Sequence, residues 1–143
     1  MNIRRSFLCS LFFFSSFVIA ENSPVGMWTT IDDKTKQPKS KVEIISADGI
    51  LSGKIIELFN PSEPNPLCTK CKGEKNNQPI LGMTIIWNAI DKGKHWKGKI
   101  LDPKKGKTYK LKLSLIEDGQ KLKIRGYIGN PLLGRTQIWQ RAE

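Results

Sequence analysis

The stretch Thr108-Tyr109-Lys110-Leu111-Lys112-Leu113-Ser114-Leu115-Ile116-Glu117-Asp118-Gly119-Gln120-Lys121-Leu122-Lys123-Ile124-Arg125-Gly126-Tyr127-Ile128 decides the fold. In its first arm Tyr109, Leu111, Leu113 and Leu115 alternate with Lys110, Lys112 and Ser114. In its second arm Leu122, Ile124 and Ile128 alternate with Lys121, Lys123 and Arg125. A period of two belongs to a strand with one face buried and one face wet. Glu117-Asp118-Gly119 between the arms is turn chemistry, so the two strands form an antiparallel hairpin.

The same pattern extends outward in both directions. The runs are Val25 to Ile31, Lys41 to Ser46, Ile50 to Phe59, Leu81 to Trp87, His95 to Leu101, Thr108 to Leu115, Lys121 to Ile128 and Arg135 to Arg141. Ala47-Asp48-Gly49, Asp91-Lys92-Gly93, Asp102-Pro103-Lys104-Lys105-Gly106 and Gly129-Asn130-Pro131 supply turns between them. No useful length of chain carries a helical 3.6-residue stripe. Eight short runs with short turns predict an all-β, single eight-stranded antiparallel up-and-down barrel, because parallel strands need long crossovers. At this strand number a sheet can close on itself, and closure removes the exposed edges.

The alternation assigns an interior. In the fourth run Leu81, Met83, Ile85 and Trp87 share a face, and in the fifth Trp96, Gly98 and Ile100 oppose His95, Lys97 and Lys99. The expected inward set is therefore Met83, Ile85, Trp87, Trp96, Ile100, Tyr109, Leu111, Leu113, Leu122 and Ile124. Two readings of that set stand side by side. It lines a pocket for a small hydrophobic or amphipathic ligand, or it fills the barrel as a packed core.

The N-terminus has its own pattern. Arg4 and Arg5 precede the apolar run Phe7 to Ala20, and Val18-Ile19-Ala20 precedes Glu21. A charged start, a short apolar centre and small residues before a cleavage point predict a signal peptide over residues 1–20. The run is shorter than the ~20 residues a membrane-crossing helix needs. Cys9 lies inside this run and would leave with it. Residues 21–143 are then expected as one exported domain, periplasmic or secreted, of 123 residues.

That domain is basic: 22 Lys and Arg against 13 acids leave a charge of +9, and only Arg125, Arg135 and Arg141 among the cations are Arg. Arg forks suit bidentate phosphate recognition, whereas a lysine-rich surface gives diffuse positive potential. Anionic envelope material is therefore an expected partner if the charge is more than compositional bias, and nucleic acid is not.

Enzyme chemistry is hard to assemble. His95 is the lone histidine, no Gly-x-Ser-x-Gly is present, and Asp32-Asp33 and Glu117-Asp118 sit in turns, where Asp bonds its own backbone. No cofactor motif appears, and no enzymatic function is expected. Cys68-Thr69-Lys70-Cys71 lies in a Pro-rich loop rather than at a helix start. Outside the cytosol such a pair is expected as a disulfide staple, with a redox pair and half a metal site as the alternatives.

Gly26-Met27-Trp28 on the first run, with Arg135 or Arg141 on the last, resembles the calycin arrangement of lipocalins and fatty-acid-binding proteins. The resemblance implies an indole packed under a late arginine, closing one end of a barrel. Trp96-Lys97-Gly98-Lys99-Ile100-Leu101-Asp102-Pro103, Gly106-Lys107-Thr108-Tyr109, Leu122 to Gly129, and Leu133-Gly134-Arg135-Thr136 with Trp139 and Arg141 are similar to a bacterial domain-of-unknown-function family of small secreted proteins. Lys99 stands where relatives often carry a second Gly. That family implies a lipocalin-like barrel and export, and it brings no catalytic residues.

Overall fold

The computed structural model describes residues 22–142. The expected signal peptide and Cys9 lie outside the described residues. Eight strands follow in chain order: β1 (Gly26–Ile31), β2 (Pro38–Ala47), β3 (Ile50–Leu58), β4 (Thr84–Asp91), β5 (Trp96–Asp102), β6 (Lys107–Ile116), β7 (Lys121–Tyr127) and β8 (Gly134–Ala142). Each pairs antiparallel with the next, and β8 returns to β1 through Met27↔Ala142, Trp28↔Arg141 and Thr29↔Gln140. The barrel is closed, as expected from eight short runs joined by short turns.

Turn chemistry fixes the hairpins. β2 and β3 are joined by Asp48 and Gly49 alone, with φ of 52° and 77°. Two positive φ values in a two-residue loop match the twist of the strands they connect, and Asp-Gly suits them. The turns 48–49, 92–95 and 117–120 gather at one end of the barrel with the N-terminal segment 22–25. The connections 32–37, 59–83, 103–106 and 128–133 gather at the other.

Residues paired across neighbouring strands point to the same face. Trp28, Val42 and Ile55 share the inner face, as do Ile86, Ile100 and Tyr109, and Leu113 with Ile124. Trp28, Val42, Ile44, Ile86, Leu111, Leu113 and Leu122 are 0% exposed. Zero accessible area leaves no room for a water molecule against them, so the middle of the barrel is packed solid.

β4 differs from the expected pattern. The strand begins at Thr84 rather than Leu81, and its inward residue is Ile86, which pairs with Gly53 on β3 and Ile100 on β5. Ile85 and Trp87 therefore face outward, which corrects their assignment to the interior. Two causes combine. Asn88 adopts φ 53° where the β4–β5 register breaks between Trp87 and Ile90, so a single period does not run through the strand. The outer face of β4 is also covered, and a strand buried on both faces loses its alternation.

The cover is the long β3–β4 connection. Cys68 and Cys71 form a disulfide, and both are buried, at 0% and 3% exposure. Cys68 Sγ lies 3.3 Å from the Pro103 carbonyl oxygen, a contact and not a hydrogen bond because the oxidised sulfur carries no proton. Lys75 Nζ stands 4.1 Å from the centre of the Trp87 ring. Outward-facing Ile85 and Leu101 are each only 5% exposed, so the outer wall is covered here. A Cβ on Gly106, which has φ 66°, would fall 2.0 Å from the Lys70 carbonyl oxygen, so only glycine lets the β5–β6 turn meet this loop. The stapled loop thus lies against the β5–β6 turn at one end of the barrel and against the outer side of Trp87 on β4.

Candidate functional site

The two ends of the barrel are built differently. At the end carrying the short turns, Trp28 donates its Nε1 proton to the Pro24 carbonyl at 2.8 Å, and the Arg141 guanidinium lies 4.3 Å from the ring centre. Arg141 donates from Nε to Gly119 at 2.8 Å, from Nη2 to Ser23 at 2.9 Å and from Nη1 to Val25 at 3.2 Å, all backbone carbonyls. It ties the β6–β7 turn and the N-terminal segment over the indole and plugs this end.

Arg135 does not share that role, which corrects its expected place beside Trp28. Residues 135, 137, 139 and 141 all face inward on β8, and six residues of strand separate Arg135 from Arg141 by about 20 Å. Arg135 therefore reaches the opposite end. Its Nη1 lies 3.1 Å from Asp33 Oδ2 and its Nη2 lies 3.8 Å from Asp102 Oδ2. Gln137 Nε2 donates to the same Asp33 oxygen at 3.0 Å, and Trp139 Nε1 donates to Gln137 Oε1 at 3.2 Å. A hydrogen-bonded chain thus runs from the Asp33 carboxylate at the mouth through Gln137 to a tryptophan that is 2% exposed.

Apolar groups lie beneath this polar set. Ile100, Tyr109 and Leu58 face inward near the long connections and are only half-buried. Thr30 and Ser40, at 6% and 7% exposure, satisfy each other through a 2.7 Å hydroxyl contact. The mouth therefore combines a cation, two carboxylates, an amide and a short apolar lining. Of the expected interior residues, Leu111, Leu113, Leu122 and Ile124 form the packed middle, Ile100 and Tyr109 line the mouth, and Trp96 is half-buried at the plugged end opposite Leu113. Met83 is buried just before β4, where its carbonyl accepts the Ile55 N–H.

Asp33, Asp102, Gln137 and Leu58 are the mouth residues that sequence reasoning missed. Both acids of Asp32-Asp33 read as turn residues, and only Asp32 behaves as one. Its Oδ1 accepts the N–H groups of Thr35 and Lys34, at 2.8 and 2.9 Å, and those bonds hold its carboxyl below the ordinary value. His95 is half-buried at the plugged end with Nε2 enclosed and without a hydrogen-bond partner. Burial, then the charges of Lys112 and Lys97, push its pKa below the ordinary imidazole value. Among the described residues no group of three or more His, Cys, Asp or Glu side chains could hold a metal ion. Two open concavities, of about 430 and 340 Å³, lie outside the barrel.

Residues 26–141 match a family described as uncharacterized proteins conserved in bacteria, DUF2147. The chain belongs to this family. A solved structure similar to it is the protein HP1028 from the human pathogen Helicobacter pylori, which is described as belonging to the lipocalin family. The two share 20% sequence identity with a TM-score of 0.74, over 86% of this chain and 85% of that one. At that identity the likeness establishes the barrel and nothing finer. No curated protein matches the chain.

Proposed function

We propose that this member of the family is an exported small-molecule-binding barrel that takes an amphipathic molecule at its mouth. The charged head would sit at Arg135, and the apolar part would lie against Ile100, Tyr109 and Leu58. The observation that carries the reading is the asymmetry of the barrel. One end is plugged by Trp28 and Arg141, while the other holds an arginine, two carboxylates and a glutamine over half-buried apolar side chains. A few convergent polar groups over an apolar lining are the usual composition of a small-ligand site.

The packed middle sets the size of the ligand. Leu111 and Leu113 block passage below the mouth, so the site holds a short chain or a single ring rather than a long lipid tail. Access costs little. The Arg135 and Asp33 side chains are 58% and 39% exposed. Ion pairs that exposed contribute about 0–1 kcal/mol, whereas each buried methylene contributes about 0.8 kcal/mol. Burial of a few methylenes offsets release of the pair. A carboxylate head would take the place of Asp33 on the guanidinium fork. The N-terminal signal-peptide pattern supports export of the domain.

Calorimetric titration with octanoate and with octanol tests this. Binding of both is expected, with Arg135→Gln weakening octanoate about tenfold, the loss of a charge-assisted contact, and leaving octanol unchanged. Equal effects on the two ligands, or saturable binding of neither, would sink the proposal.

A further inference from the structure

The three most exposed large apolar side chains among the described residues stand on one loop. Ile128, Leu132 and Leu133, at 60%, 83% and 78% exposure, belong to the β7–β8 connection at the mouth end of the barrel. From Gly126 to Gly134 the chain carries no charge, although 26% of the whole sequence is charged. The loop is ordered from behind. Pro131–Leu133 form a 3-10 turn capped by Asn130, whose Oδ1 accepts the Leu132 N–H at 3.0 Å. Arg125 Nε donates to the Pro131 carbonyl at 2.8 Å and Nη1 to Thr136 Oγ1 at 2.8 Å. The leucines are therefore held out into solvent by a built support.

Charge is distributed to match. The connections at this end carry seven lysines (Lys34, Lys36, Lys70, Lys72, Lys75, Lys104 and Lys105) against four carboxylates (Asp32, Asp33, Glu63 and Glu74). The turns at the plugged end carry two lysines, Lys92 and Lys94, against three carboxylates, Asp48, Glu117 and Asp118. An uncharged apolar tip at the lysine-rich end of the barrel is complementary to an anionic bilayer, whose headgroups attract the cations while the tip enters the acyl boundary.

We propose that the β7–β8 tip, through Leu132, Leu133 and Ile128, docks the mouth end of the barrel onto anionic lipid surfaces. The proposal is independent of ligand binding in the mouth. Lysines supply the long-range attraction, screened by salt, and the leucines supply the part that salt does not screen.

Flotation with vesicles of equal parts phosphatidylglycerol and phosphatidylethanolamine, and with phosphatidylcholine vesicles as the neutral control, tests it on purified protein whose N-terminus has been sequenced. The protein should float with the anionic vesicles and not with the neutral ones. Leu132→Ser and Leu133→Ser should each weaken partitioning about tenfold, the scale of a partly buried leucine, and unfolding temperatures should be unchanged because both side chains are exposed. No flotation of the unaltered protein overturns the proposal. Flotation insensitive to both substitutions also overturns it, leaving lysine electrostatics alone. So does loss of a protein partner in the two variants while vesicle binding persists, which would assign the tip to that partner.

Discussion

Replacing Arg141 with Ala should loosen the plugged end by an amount the structure allows to be worked out. The partly buried bond from Nε to the Gly119 carbonyl has a charged donor and contributes about 1.5 kcal/mol. The bonds to Ser23 and Val25 are exposed, and their carbonyls can rehydrate, so together they add about 0.5–1 kcal/mol. The cation over the Trp28 ring, which is 0% exposed, adds about 1 kcal/mol. The total is about 3 kcal/mol, which for a domain of this size lowers the unfolding temperature by about 10–15 °C. Arg141→Lys keeps a cation near the ring and loses the fork, so it should cost about half as much. Arg135→Ala is the matched control at the other end of the same strand, where exposed pairs contribute no more than about 1 kcal/mol. Urea and thermal unfolding followed by tryptophan fluorescence measure all three. An Arg141→Ala protein within about 0.5 kcal/mol of the unaltered one, or an Arg135→Ala protein destabilised by as much as Arg141→Ala, would mean that Arg141 does not hold the plug.

Other outcomes follow from the same geometry. Replacing Cys68 and Cys71 together with Ser should cost about 2 kcal/mol, the loop-closure contribution of so short a loop. It should free the β3–β4 connection from Trp87 without loss of far-ultraviolet β signal, and collapse of that signal would show the staple to be part of the barrel itself. His95 has a folded-state pKa below its ordinary 6.5. Its contribution to stability is therefore full above that value and is lost as pH falls below it, because the unfolded chain takes up the proton first. Unfolding midpoints should decline below pH 6.5, and His95→Gln should flatten that decline; an unchanged slope would show that burial of the imidazole is immaterial.

The barrel was legible because most of its strands have one wet face. Lys110, Lys112, Lys121 and Lys123 alternate with Leu111, Leu113, Leu122 and Ile124, and each alternation corresponds to one inner row. β4 was misread for the opposite reason. Met83-Thr84-Ile85-Ile86-Trp87 is apolar on both faces because the disulfide loop covers the outside, and the break at Asn88 removes any later residue from the count. The loop's docking surface was invisible because Pro103, Gly106 and Trp87 are distant from Cys68 in sequence. At the plug, Gly-x-Trp identified Trp28 but left Arg135 and Arg141 as equals. Only the length of β8 separates them, and that length also places Arg135 at the mouth. Asp33 was indistinguishable from Asp32 beside it, since a turn aspartate and an ion-pair aspartate have the same local sequence. The tip residues Leu132 and Leu133 carried a signal that went unused, a charge-free apolar stretch in a strongly basic chain.

Ligand binding at the mouth should leave the plug and the outer wall still. Trp28, Trp87, Trp96 and Trp139 place one indole N–H each at the plug, the outer wall, the inner face near the plug and the end of the mouth's hydrogen-bonded chain. A proton–nitrogen NMR titration with octanoate, read at these four resonances, is the most direct measurement. The Trp139 indole should shift saturably, together with the backbone signals of Ile100, Tyr109 and Arg135, and Trp28 and Trp87 should not shift. No saturable shift at Trp139, or a dominant one at Trp28 or Trp87, would contradict binding at the mouth.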